Sequence, residues 1–196
     1  MNYWISLTKH FHFRKLAASC VLLSGFALHA ADFGVADWGM TAEQIKNLET
    51  RPNLTPFLEQ NYLIYQVEIA GIEQARLVYQ LQGNQLIEGR FIFSSATPKD
   101  AAQALSQYKT VKAMMSNQFG PANIDQTLYA VEPEMQLAPA DMANELASDR
   151  LILKSSWRSN SATINHQLAW NVDRAHHQLH YIPALSVQPQ PASNAF

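Results

Sequence analysis

Six short segments in which apolar and polar residues alternate constrain the fold of this chain more than any other feature. Three lie at 62–69, 75–81 and 87–93, and three more at 151–158, 162–170 and 176–182. Successive side chains of a strand point to opposite faces, so this alternation predicts six strands with one buried face. Turn-forming residues stand between them, which predicts antiparallel neighbours joined by short turns.

The turn signal Gly83-Asn84 fixes an expected register for the second and third strands. A three-residue loop over 82–84 would pair Tyr79 with Ile87 and Ala75 with Phe91. This register brings both apolar sets to the same side of the sheet, as a sheet with one buried face requires.

Two helices are predicted, one before each group of strands. Thr41 and Gln44 have the spacing of a capping box, and Arg51-Pro52 ends that first helix. Thr97-Pro98 opens the second helix, with threonine as the cap and proline in the first turn. Gly120-Pro121 closes it, because glycine adopts the left-handed cap and proline cannot continue a helix.

The order of these elements predicts an α+β fold. Two helix-plus-three-strand units, 31–95 and 96–183, would form one antiparallel sheet with the helices on one face. An acidic, proline-containing segment over 121–149 reads as a long loop with a short helix near 141–147. The polar, proline-rich tail 184–196 is expected to be disordered.

The first thirty residues have the order of a secretory signal peptide. Lys9, Arg14 and Lys15 precede an apolar run over 16–28, and the small residues Ala30-Ala31 follow. Cleavage after Ala30 would release a periplasmic protein of one α+β domain, 31–183, with no transmembrane segment. An uncleaved anchor is an alternative, and so is lipidation at Cys20, although its leucine lies one place too far back for a good lipobox.

Cleavage also changes the chemistry of the chain. It removes the only cysteine, so the mature protein has no disulfide and no thiolate. It leaves 11 basic against 16 acidic residues, a net charge of −5. An acidic surface without a basic stripe gives no footprint for nucleic acid.

Short motifs at the helix ends resemble those of a group of small secreted bacterial domains. Trp38-Gly39-Met40-Thr41 opens the first helix and Phe119-Gly120-Pro121 closes the second. The pattern is similar to the outer-membrane-assembly lipoprotein BamE and to the tandem-repeat β-lactamase-inhibitory proteins. The resemblance implies a fold that serves protein–protein binding rather than catalysis. Unlike the assembly lipoproteins, the chain lacks a good lipobox and holds two units. Unlike the inhibitory proteins, it lacks cysteines, so no functional residue is carried over.

The four histidines of the mature chain raise the question of a metal site. Strand alternation directs His166 and His177 into the core, and His176 and His180 to the opposite face. No three imidazoles converge, so no metal and no cofactor are predicted. No nucleophile elbow, phosphate loop or dinucleotide fingerprint is present, and no catalytic residue is assigned.

The face of the sheet away from the helices is predicted to bind a partner, because arginines there alternate with apolar groups. Its aliphatic members would be Ile64, Val78, Leu86, Ile92 and Ile152. The predicted contacts are Arg76, Glu88, Arg90, Lys154, Arg158, His176 and His180, with Glu132 and Glu134 from the acidic segment.

The sequence therefore favours a non-catalytic envelope protein that binds another envelope protein as an adaptor, inhibitor or assembly factor. A second hypothesis is a binder of a small molecule, such as a lipid or a peptidoglycan fragment, in a cleft between the sheet and 121–149. An enzyme whose active site has no motif is the third.

Overall fold

The computed structural model describes residues 31–56, 59–94, 100–129 and 139–184, with side chains in the last range from 142 onward. Several predictions lie outside these residues: the signal peptide 1–30, the tail from 185, the cap Thr97-Pro98, and Glu132 and Glu134.

The described residues form an α+β structure built on one antiparallel sheet of seven strands, which confirms the predicted class. The sheet order is β1-β2-β3-β7-β6-β5-β4. In chain order the elements are α1 Ala42–Leu48, β1 Tyr62–Ile69, β2 Ile72–Gln82, β3 Gln85–Phe93, α2 Ala101–Phe119, β4 Ile124–Tyr129, α3 Pro139–Ala147, β5 Leu151–Arg158, β6 Ala162–Asn171 and β7 Arg174–Pro183.

Strand β4 corrects the prediction of one long loop over 121–149. Its six residues pair with β5 at the edge of the sheet, and all six are exposed. An exposed edge strand has no buried face to select alternating residues, so the sequence carried no periodic signal for it. The short helix predicted near 141–147 is present as α3.

The hairpin between β2 and β3 corrects the predicted register by two residues. Gly83 and Asn84 both have positive φ, 56° and 63°, and form a two-residue turn that pairs Gln82 with Gln85. A bulge then inserts Ile87 as an extra residue, so Tyr79 lies opposite Gly89 and Ala75 opposite Phe93. The bulge turns Leu86 into the core, where it is fully buried, and not onto the outer face.

The helix ends follow the predicted chemistry in part. The capping box of Thr41 and Gln44 is present, and α1 ends before Pro52. Helix α2 begins at Ala101, later than expected, because Asp100 caps it and its carboxylate accepts the Gln103 N–H. Helix α2 ends before Gly120 as predicted, but with φ of 82° and ψ of −172° this glycine does not adopt the predicted left-handed cap.

The core contains an aromatic cluster centred on Phe33, only two residues into the described chain. The ring centroids of Trp38, Tyr79, Phe91 and Tyr181 lie 5.0–6.2 Å from that of Phe33. A second apolar cluster joins α2 and α3 to β5 and β6. Residues near the start of the described chain are therefore part of the folding core.

Gly89 gives a direct test of the aromatic cluster, since a Cβ at this position would overlap the Phe33 ring. We expect Gly89→Ala to lower the free energy of unfolding by about 1–3 kcal/mol in urea titrations, because a close-packed core resists added volume. Gly71→Asn is the control: its site is open, and asparagine tolerates the local φ of 74°. An unchanged urea midpoint for Gly89→Ala would contradict the packing of Phe33 against this strand.

Candidate functional site

The outer face of the sheet is the side opposite the buried residues of each strand. It carries the seven predicted contacts that the structure describes: Arg76, Glu88, Arg90, Lys154, Arg158, His176 and His180. Four of the five predicted aliphatics, Ile64, Val78, Ile92 and Ile152, also lie on it. The alternation in each strand was enough to place these side chains, apart from Leu86 at the bulge.

Glu88, Arg90 and His180 form one hydrogen-bonded group on this face. The Glu88 Oε2 atom lies 3.0 Å from Arg90 Nη2 and 2.9 Å from His180 Nε2. Burial opposes the charge of Glu88, yet hydrogen bonds from His180 and Arg90 hold its pKa below the ordinary value. Burial lowers the pKa of His180, against the opposing effect of Glu88. The positive charge of Arg90 is therefore balanced by the Glu88 carboxylate.

Arg76, Lys154 and Arg158 differ from Arg90, because none of them forms an ion pair with another residue of the described ranges. Arg76 and Arg158 are exposed and Lys154 is half-buried. Among the described residues, these three positive charges therefore have no ion-pair partner, although the chain has a net charge of −5 without residues 1–30. An anionic partner would find complementary charge on this face.

One row of outer-face side chains crosses all seven strands. Each member is the register partner of the next, in the order Gln66, Arg76, Ile92, Gln178, Gln167, Lys154 and Gln126. At a strand spacing of ~4.8 Å the row is about 29 Å long. It contains four amides, two cations and one aliphatic side chain, and no carboxylate.

Three neighbouring cavities lie along this row, and the strip of outer face that they cover is called the cross-strand trough. Their volumes are about 400, 310 and 250 Å³. The first and second share Gln167 and Gln178, and the first and third share Arg76 and Ser94. The central Gln167 and Gln178 are half-buried, while the terminal Gln66 and Gln126 are exposed.

On the inner face, His166 and His177 are both buried, as the alternation predicted. Their Nε2 atoms lie 2.8 Å apart, so one imidazole donates a hydrogen bond to the other. Both Nδ1 atoms are buried without a partner among the described residues. Tyr108 stacks on His166 at 4.0 Å between ring centroids, and Phe93 contacts His177 at 4.4 Å.

A second polar chain lies beside the histidines. Tyr108 Oη is 2.8 Å from Ser155 Oγ, which donates to Asp125 Oδ1 at 3.0 Å, and Lys112 pairs with the other oxygen of Asp125. Burial raises the pKa of Tyr108 to about 12, and the hydrogen bond from Lys112 lowers that of Asp125. These contacts link α2 and β5 to the edge strand β4, in addition to the backbone ladder between β4 and β5.

The described residues contain no group of three or more His, Cys, Asp or Glu side chains placed to hold a metal ion. Within the same ranges, no helix has the length and apolar character needed to cross a bilayer. Comparisons with protein-family models, with curated proteins and with solved structures find no match to this chain.

The buried histidine pair predicts loss of stability in mild acid. Burial lowers the pKa of both residues below the unfolded value of about 6.5, and the facing imidazole and Lys112 lower that of His166 further. Below pH 6.5 the unfolded chain binds protons that the folded chain does not. The free energy of unfolding should therefore fall by up to about 3 kcal/mol per pH unit for the two groups.

Urea titrations at pH 7.5, 6.5, 5.5 and 4.5 measure this slope. The double variant His166→Leu/His177→Leu should reduce this pH dependence. It should leave the free energy of unfolding at pH 7.5 nearly unchanged, because both hydrogen-bonded imidazoles are removed together. His166→Leu alone should cost more at pH 7.5, since it leaves His177 unpaired. The exposed His176→Leu is the control, and a wild-type slope in the double variant would contradict the assignment.

Proposed function

We propose that this chain is a non-catalytic protein-binding module of the bacterial envelope, exported through a cleavable signal peptide. It would hold a partner protein on the outer face of its sheet and serve as an adaptor, inhibitor or assembly factor. The observation that carries this proposal is a set of cations, Arg76, Lys154 and Arg158, that have no ion-pair partner in the described part of an acidic chain. The partner surface would be acidic.

We also propose that the chain contains two copies of a helix-plus-three-strand unit with their helices on one face. Two observations support this. The order β1-β2-β3-β7-β6-β5, with β3 antiparallel to β7, is what a two-fold axis normal to the sheet would produce. Buried residues of α1, α2 and α3 (Ile45, Val111 and Leu146) all lie in the clusters formed by inner-face side chains. This plan favours the proposed kinship with BamE-like and β-lactamase-inhibitory domains.

A small-molecule binder remains the alternative, and a cavity on the outer face of the sheet supports it. Its volume of about 400 Å³ falls in the range of ligand sites, and Arg76 and Arg174 line it. This cavity lies on the sheet face and not in the expected cleft against 121–149, since residues 124–129 of that segment are a strand of the sheet. The two arginines of its lining would suit an anionic molecule.

The role of the outer-face charge can be tested by crosslinking a tagged copy in living cells. Arg76→Glu/Arg158→Glu should reduce capture of the dominant partner about tenfold or more, because two attractions become repulsions. Lys46→Glu/Lys109→Glu changes net charge equally but places the change on α1 and α2, so it should leave capture intact.

Equal capture by both double variants would contradict binding through the outer face. Absence of any captured protein, together with a thermal shift produced by an anionic wall fragment, would favour the small-molecule alternative.

A further inference from the structure

The sheet fixes the backbone separation of the two cationic residues of the cross-strand trough. Arg76 on β2 and Lys154 on β5 are four strand spacings apart in one row, about 19 Å. The rigid ladder sets this distance. A ligand that uses both cations must therefore carry two anionic groups at a matching separation.

Side-chain amides occupy most of the remaining row. Gln178 and Gln167 lie between the cations, while Gln66 and Gln126 end the row. Each amide both donates and accepts hydrogen bonds. An extended polypeptide backbone presents N–H and C=O groups along its length and is complementary to such a set. Ile92, 37% exposed, offers one apolar contact between Arg76 and Gln178.

The row of register partners contains no aromatic side chain, so it lacks the stacking platform that single-stranded nucleic acids use.

Building on the proposed function, we propose that the partner contributes an extended acidic segment that lies in the cross-strand trough, perpendicular to the strands. One carboxylate binds Arg76 and a second binds Lys154, and the glutamines hydrogen-bond the backbone between them. At ~3.3 Å per residue, 19 Å corresponds to acidic residues about six positions apart, and the whole trough accommodates about nine residues.

The proposal can be tested with two labelled nonapeptides of identical composition, made of Ser, Thr, Leu and two Glu. In one the glutamates are at positions 2 and 8, and in the other at positions 2 and 3. Fluorescence anisotropy with the full mature chain should show at least about tenfold tighter binding of the first peptide, because only it reaches both cations. Equal affinities would overturn the proposed alignment.

Variants of the chain locate the binding. Arg76→Glu and Lys154→Glu should each abolish the preference between the two peptides, and Gln167→Ala/Gln178→Ala should weaken both. Arg158→Glu, outside the row, should preserve the preference. A nonapeptide with Lys at position 2 and Glu at position 8 should recover binding to one of the two single variants, Arg76→Glu or Lys154→Glu. The nonapeptide with Glu at position 2 and Lys at position 8 should recover binding to the other.

Two further results separate this proposal from the proposed function. If cellular capture depends on Arg76 and Arg158 while the two peptides bind equally, the trough assignment is wrong and the protein-binding function stands. If a uronic-acid oligosaccharide binds more tightly than either peptide, the polypeptide assignment is overturned in favour of a carboxylate-bearing glycan. Unchanged melting temperatures confirm that each variant is folded.

Discussion

The pairing of β3 with β7 is the contact on which the rest of the structure depends. Residues 89–93 lie antiparallel to 177–181, almost ninety positions away along the chain. This one ladder unites three strands from the first half with four from the second into a single sheet. Without it, the cross-strand trough would be two unrelated patches, because Arg76 and Lys154 belong to opposite halves. The long loop closure also makes this the entropically most costly contact of the sheet.

A local pairing, that of β6 with β7, produces the unusual chemistry of the core. His177 enters the inner face directly after the β6–β7 hairpin and meets His166 across adjacent strands. Two buried imidazoles with unpartnered Nδ1 atoms cost stability, and apolar residues of similar size would pack there without that cost. The pair is stable only while both rings stay neutral. Stability of the fold is thereby linked to the pH of its surroundings.

Charge is distributed unevenly between the two faces of the structure. The chain beyond residue 30 is acidic overall, yet Arg76, Lys154 and Arg158 on the outer face have no ion-pair partner within the ranges that the structure describes. Arg90, by contrast, is already bound to Glu88. The outer face therefore combines an ion pair, Arg90 with Glu88, and three separate cations. Such a charge pattern contributes more to the orientation and the choice of a partner than to binding affinity.

The sequence alone determined which residues are strands, which side each faces, and where the helices stop, because side-chain alternation and end-capping are local properties. It failed where the local signal is absent or altered: at the exposed strand β4, and at the bulge that turns Leu86 inward. The sequence did not predict the row from Gln66 to Gln126, because no short-range pattern encodes which strand of the first half pairs with which strand of the second half. Only tertiary strand pairing aligned these residues. Alternation along a strand decides which face each side chain points to, whereas hydrogen-bond register decides which residues of neighbouring strands lie opposite each other.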